Sequence, residues 1–183
     1  ILRNYLEIRS LENFKEVKKP SENYSIELIS SKDFQLNKFF YKNVGKNYQW
    51  VDRLLWTEQN WIDYVSKNNL LTYILKDKEE IAGYFEIFYH QEKKETELAY
   101  FGILEDYFGK KLGGYLLSYA IKKSFLLDNK LKRFWVHTCS LDHPNALFNY
   151  ISRDETVFEK DPMEALAKEG QMQAYLHSGF WIR

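Results

Sequence analysis

Side chains alternate from Tyr24 to Ile29, with Tyr24, Ile26 and Leu28 set against Ser25, Glu27 and Ile29, which predicts a half-buried strand over 24–30. Asp33 then stands where a helix N-cap belongs, and the apolar spacing behind it predicts a helix to about Asn43, with Gly45 as its stop. Thr57 with Asn60, followed by Trp61, Ile62, Tyr64 and Val65, predicts a second short helix. Leu71–Lys76, Ile81–His90 and Thr96–Leu104 read as three strands joined by charged turns, an antiparallel meander. Leu112 to Leu127 follows the three-to-four spacing of an amphipathic helix, and Arg133 to Ser140 alternates again as a strand. Pro144 after Asp142 and His143, and Asp161-Pro162 with Glu164, mark two further helix starts. The second would run towards His177, stop at Gly179 and lead into a last strand at Phe180–Arg183. Residues 1–23 read as an accessory strand or arm ahead of Pro20 and Ser21.

Composition narrows the class. Of 183 residues 45% are hydrophobic and 28% charged, enough for a real core in a single domain, 1–183. Twenty-six basic residues balance twenty-six acidic ones, so no basic field points to nucleic acid. Cys139 is the only cysteine, which excludes an internal disulfide and a cysteine-rich zinc cluster; no metal is expected. No apolar run approaches the roughly 20 residues of a membrane span. Arg3, Glu7 and Arg9 interrupt any signal-peptide core, so the expected location is the cytoplasm.

The chemically informative stretch runs from Glu97-Leu-Ala-Tyr-Phe-Gly-Ile103 through Phe108-Gly-Lys-Lys-Leu-Gly-Gly114 into the helix at Tyr115. A strand, a glycine-bearing loop and a helix N-terminus bring backbone N–H groups and a partial positive charge to one place, a setting for a pyrophosphate to which Lys110 and Lys111 add charge. A plain connection between strand and helix has the same local look. Arg133-Phe-Trp-Val-His-Thr-Cys139 and Asp142-His-Pro-Asn-Ala-Leu147 follow, and Tyr175-Leu-His-Ser-Gly-Phe180 closes the chain.

Together these segments resemble the GNAT superfamily of N-acetyltransferases over about residues 24–183. Its acetyl-CoA loop reads Gln/Arg-x-x-Gly-x-Gly/Ala; here Phe108 stands in the first position, Lys111 in that of the first glycine, and Gly113 in the last. The resemblance implies an α+β fold: a mixed, mostly antiparallel central sheet flanked by helices. Counting the Tyr24 strand as the first, that sheet splays between strands 4 and 5. It implies acetyl-CoA as co-substrate, held by Phe101, Ile103, Gly109, Lys110, Lys111, Leu112, Gly113, Gly114 and His143. It also implies direct acetyl transfer to a primary amine of a small molecule. The alternative is a non-catalytic acyl-CoA-binding or regulatory module of the same fold, motivated by Phe108 and Lys111.

Amine acetylation needs a proton taken from the ammonium and one given to the departing thiolate. The resemblance places Glu97 as the base, with Glu86 and Glu95 as nearby competitors. It places Tyr150 as the acid, six residues after Pro144, with Tyr175 as fallback because two tyrosines share spacings that one serves in other members. Residues 151–175 then read as an insertion, packed beside the acceptor opening or against a second subunit in a homodimer. Tyr48, Trp50, Trp56 and Trp61 form an aromatic segment. Tyr48 and Trp50 are expected at the acceptor, Asp52 as partner of its ammonium, and the other two in the core. His137 and Cys139 read as buried structural residues.

Overall fold

The computed structural model describes residues 3–12, 14, 16–29, 33–46, 48, 50–139 and 173–177, the last five by their backbone. The order is β1 (Arg3–Ile8), β2 (Tyr24–Leu28), α1 (Phe34–Gly45), α2 (Glu58–Val65), β3 (Leu70–Asp77), β4 (Glu80–His90), β5 (Glu95–Ile103), a 3₁₀ turn (Glu105–Tyr107), α3 (Leu112–Leu127), β6 (Arg133–Cys139) and β7 (Gln173–His177). The seven strands form one sheet in the order β2-β3-β4-β5-β6-β1-β7. Every neighbouring pair is antiparallel except β5 and β6, which are parallel, as a strand–helix–strand connection through α3 requires. This is the mixed, mostly antiparallel α+β architecture expected.

The helices start where their caps are. Asp33 accepts from the Gln35 N–H at 2.9 Å. Thr57 and Asn60 form a reciprocal capping box, Asn60 N–H to Thr57 Oγ1 at 3.2 Å and Thr57 N–H to Asn60 Oδ1 at 3.0 Å. α3 buries Leu112, Leu116, Leu117, Ala120 and Ile121, one continuous stripe, against Phe85, Ile87, Leu98, Phe101, Phe134 and Val136 of the sheet. The opposite face carries α1 and α2, whose Phe40, Tyr41, Val44 and Trp61 pack on Ile74, Tyr84 and Tyr100. Phe40 stacks on Tyr84 at 4.5 Å between centroids. Burying one such side chain stabilises the fold by about 1.5–3 kcal/mol.

Of two sequence expectations, the structure settles one between its alternatives and changes the other. The segment read as an accessory strand or arm does supply a strand, β1, which lies inside the sheet between β6 and β7, with Leu6 and Ile8 entering the α3-side core. The chain after it crosses α3, with Val17 N–H on Ser118 Oγ at 2.9 Å and Lys122 on Glu16 at 2.5 Å. The helix expected to run to His177 does not reach it: Gln173–His177 is strand β7, with Tyr175 opposite Tyr5 of β1. A strand partner 170 positions away in sequence outweighs a local cap signal. The helix start at Pro144, the insertion as far as 172 and the last strand at 180–183 lie outside the described residues.

Candidate active site

One residue too many on β5 marks the point where its pairing with β6 ends. Glu86 pairs with Tyr100 and Ile87 with Leu98, so Ala99 is an extra residue that kinks β5. The ladder between β5 and β6 covers Glu95–Leu98 against Arg133–Val136 and ends at that point, although β5 continues to Ile103 and β6 to Cys139. Phe101 and Ile103 lie on the stretch of β5 past the end of that ladder. Glu97 lies one residue before its last pair.

The turn beyond β5 leads into α3. Gly109 has φ +76°, and a Cβ there would meet nothing within 4 Å. Lys111, which directly precedes α3, has φ +59° and ψ +31°, a left-handed conformation that suits glycine, and among the described residues no side chain caps the helix. The position that the resemblance assigns to the motif's first glycine is left-handed in this chain, with lysine tolerating it. The first turn of α3, Leu112, Gly113 and Gly114, is buried. Its backbone donors are the kind of group a phosphate oxygen takes. Lys110 Nζ rests 4.2 Å from the Tyr107 ring centroid, and Lys46 holds Glu105 at 2.8 Å, tying this turn to the end of α1.

On the α1–α2 face, two glycines let the pieces meet. A Cβ on Gly102 of β5 would lie 2.2 Å from Val44 Cγ1, and one on Gly45 would lie 2.5 Å from Trp50 Cβ. Their absence lets the end of α1 lie flat on β5 and lets the chain fold back so that Trp50 covers it. Trp50, Tyr41 and Tyr100 then touch, with centroids 4.9–5.6 Å apart. Asp52 accepts from Tyr41 Oη at 2.7 Å and from Tyr100 Oη at 3.4 Å. Burial, reinforced by the bond to Asp52, pushes the Tyr41 phenol up, so it remains a donor. Tyr48 is half-buried, its N–H on Gly45 O at 2.9 Å, and its phenol is also pushed up, by burial and then by Glu105.

Beneath these rings lies a charged group that sequence reasoning missed. The Arg53 guanidinium is sandwiched between Tyr64 and Tyr100, 3.9 and 4.1 Å from their centroids, with Trp56 at 4.6 Å. Its Nη1 is 3.8 Å from Glu86 Oε2, and among the described residues neither Nε nor Nη1 finds a hydrogen-bond partner. Glu86 is fully enclosed; it accepts from Asn37 at 2.7 Å and from the Tyr64 hydroxyl. Burial pushes its carboxyl above the ordinary value, while Arg53, Tyr64 and Asn37 pull it part of the way back. Burial works against the Arg53 charge as well, but Tyr64, Tyr100 and Glu86 more than offset it.

The structure thus brings Trp50 and Asp52 together and sets Tyr48 at the same end of α1. Of the three glutamates, Glu86 is locked to Arg53, Glu95 is held by Arg133 at 3.1 Å, and Glu97 stands 3.3 Å from His90 Nε2 with its side chain 19% exposed. Trp61 is buried as expected, and Trp56 is half-buried against it. His137 makes ring contacts with Tyr5 and Trp135. Tyr150 and His143 lie outside the described residues. Tyr175, placed on β7, is separated from β6 by β1. The missed residues are Tyr41, Arg53, Tyr64 and Tyr100, while Glu86, weighed from the sequence as a competitor for the base, is instead the buried partner of Arg53. The sequence signal for that burial is that Glu86 is a lone charge in the apolar run Tyr84-Phe-Glu-Ile-Phe88.

A sequence model described as the acetyltransferase (GNAT) family matches residues 32–150. No curated protein matches the chain significantly. Among solved structures the chain is similar to an aminoglycoside acetyltransferase from an uncultured soil metagenomic sample, at 12% identity and TM-score 0.56, over 81% of this chain and 95% of that one. It is similar to a GCN5-related N-acetyltransferase from Kribbella flavida at 11% identity and TM-score 0.53, over 75% of this chain and 48% of that one. The ribosomal-protein-S18-alanine N-acetyltransferase from Escherichia coli aligns at 15% identity and TM-score 0.44, over 57% of this chain and 61% of that one. The chain thus spans less than two thirds of the length of two of these three. At these identities the likeness is one of fold.

Proposed function

The chain belongs to the acetyltransferase (GNAT) family, and we propose that it moves an acetyl group from acetyl-CoA to a primary amine of a small molecule by direct transfer. The observation that carries this reading is the coincidence on β5 of a bulge at Ala99, the end of the β5–β6 ladder, and an α3 with no side-chain cap just beyond. Family members use acetyl-CoA, which supplies an activated acetyl thioester. The residues here fit it: backbone N–H groups from Gly109 to Gly114 for the pyrophosphate, Lys110 and Lys111 for its charge, and the main chain of Phe101 and Ile103 for the pantetheine arm. His143 completes the proposed set.

On the acceptor side, Asp52 and the faces of Trp50 and Tyr48 receive the ammonium, a carboxylate and aromatic rings acting together on one cation. Glu97 takes the proton that the amine must lose before it can attack, through an intervening water. Tyr150 gives a proton to the departing thiolate. The amine attacks the thioester carbon, the new C–N bond forms as the C–S bond breaks, and no covalent enzyme intermediate is involved.

Thiol release from acetyl-CoA, followed over a panel of amines, tests the proposal. Amine-dependent release with formation of the acetamide is expected. Glu97→Gln should lower kcat by about 10²–10⁴-fold, with recovery at high pH where the amine deprotonates by itself. Binding of coenzyme A without turnover of any amine would replace this reading with that of a non-catalytic acyl-CoA-binding module.

A further inference from the structure

The turn between α1 and α2 is inverted in polarity. Its cation, Arg53, is 7% exposed, while Val51, Leu54 and Leu55 are 61%, 51% and 94% exposed. This is a built turn: Leu54 N–H donates to Val51 O and Trp56 N–H to Arg53 O, both at 3.2 Å, and Arg53 is gripped between the Tyr64 and Tyr100 rings. An ordinary surface turn would place the arginine in water and the leucines beneath it. Pinned in this way, the turn exposes three aliphatic side chains in the same short stretch as an exposed carboxylate, Asp52. Asp52 is in turn tied by Tyr100 to β5 beside the Ala99 bulge, which joins this turn to the strand where the β5–β6 ladder ends.

A carboxylate set among aliphatic side chains is complementary to a cation whose substituent is apolar. A polyhydroxylated amine would leave the leucines without an apolar partner. A polyamine would bring further charges against them. We infer that the acceptor is a primary amine on a hydrocarbon body, its ammonium at Asp52 and its chain laid on Val51, Leu54 and Leu55. This rests on the acetyltransfer proposed above and names the class of acceptor for the same site.

The test compares kcat/KM for hexylamine, ethanolamine and spermidine in the parent, in Leu55→Ser, and in the combined Val51→Ser, Leu54→Ser, Leu55→Ser variant. All three positions are exposed, so both variants should fold. Hexylamine should be preferred over ethanolamine and spermidine by about tenfold or more, since each added buried methylene favours binding. That ratio should fall about tenfold in the combined variant and by a smaller factor in Leu55→Ser. Turnover of ethanolamine or spermidine equal to that of hexylamine would overturn the inference while leaving acetyltransfer intact. Turnover of no amine would overturn both. An unchanged ratio with a dimer-to-monomer shift on sedimentation of the combined variant would also overturn it, making the rim a contact between copies of the chain.

Discussion

The two sides of the candidate site are built from different materials. The turn into α3 is made of backbone: a glycine and a lysine at positive φ, an α3 with no side-chain cap, and lysines at the surface. The proposed acceptor side is made of side chains, with Asp52 held by two phenols, Arg53 clamped between rings and Glu86 sealed beneath. A backbone site tolerates changes of side chain and fails when a donor or a dihedral angle is lost. A side-chain site fails with single atoms, and its buried charges bind folding to function.

Removing the buried cation tests that contrast at its strongest. Arg53→Ala leaves Glu86 enclosed without its countercharge and should cost about 3–5 kcal/mol of stability, read from urea unfolding. The pH dependence has a definite sign. Burial raises the Glu86 carboxyl above 4.5 in the folded protein, so stability is lost as pH climbs through the folded value. Without Arg53 that value rises further. The deficit of Arg53→Ala should therefore be smallest near pH 4.5 and widen towards neutral pH, and a deficit independent of pH would separate Glu86 from it.

Gly102→Ala should follow in size. Its Cβ would sit 2.2 Å from Val44 Cγ1, so α1 must lift from β5, at a cost of about 1–3 kcal/mol in the same unfolding experiment. The lift should also loosen Trp50 from Tyr100, detectable as a change in tryptophan fluorescence.

The smallest effect belongs to the backbone side. Lys111→Gly removes a left-handed lysine, a conformation that costs roughly 1 kcal/mol for a residue with a Cβ, and also removes a surface charge. The unfolding midpoint should hold or rise slightly, and coenzyme A affinity measured by calorimetry should fall by only a few-fold. A collapse of affinity would show that the Lys111 side chain, and not its backbone, does the binding.

How much of this was legible in the sequence follows the same division. Local signals carried the elements: the Asp33 cap, the Thr57–Asn60 box, and the α3 spacing, whose 112–127 limits agree with the observed helix. The turn into α3 was legible because glycines and a strand–helix junction lie within one short stretch of chain. β7 was not, since its pairing with β1 joins the two ends of the chain and nothing near Tyr175 announces it. The acceptor side was half legible. Trp50 and Asp52 were reachable as an aromatic segment with one acid. Arg53, between Asp52 and two leucines, reads as a solvated charge, and the rings that bury it come from α1, α2 and β5.

Two-substrate steady-state kinetics on the parent, Gly113→Pro and Tyr41→Phe test the central claim most directly. Proline in the first turn of α3 removes one N–H that the helix itself does not use, while the phenylalanine removes the hydroxyl that holds Asp52. Gly113→Pro should raise KM for acetyl-CoA about tenfold or more with little change for the amine. Tyr41→Phe should raise KM for the amine by about tenfold with little change for acetyl-CoA. Both constants moving together in each variant, or the two effects exchanged, would contradict a backbone-built cofactor side set against a side-chain-built acceptor side.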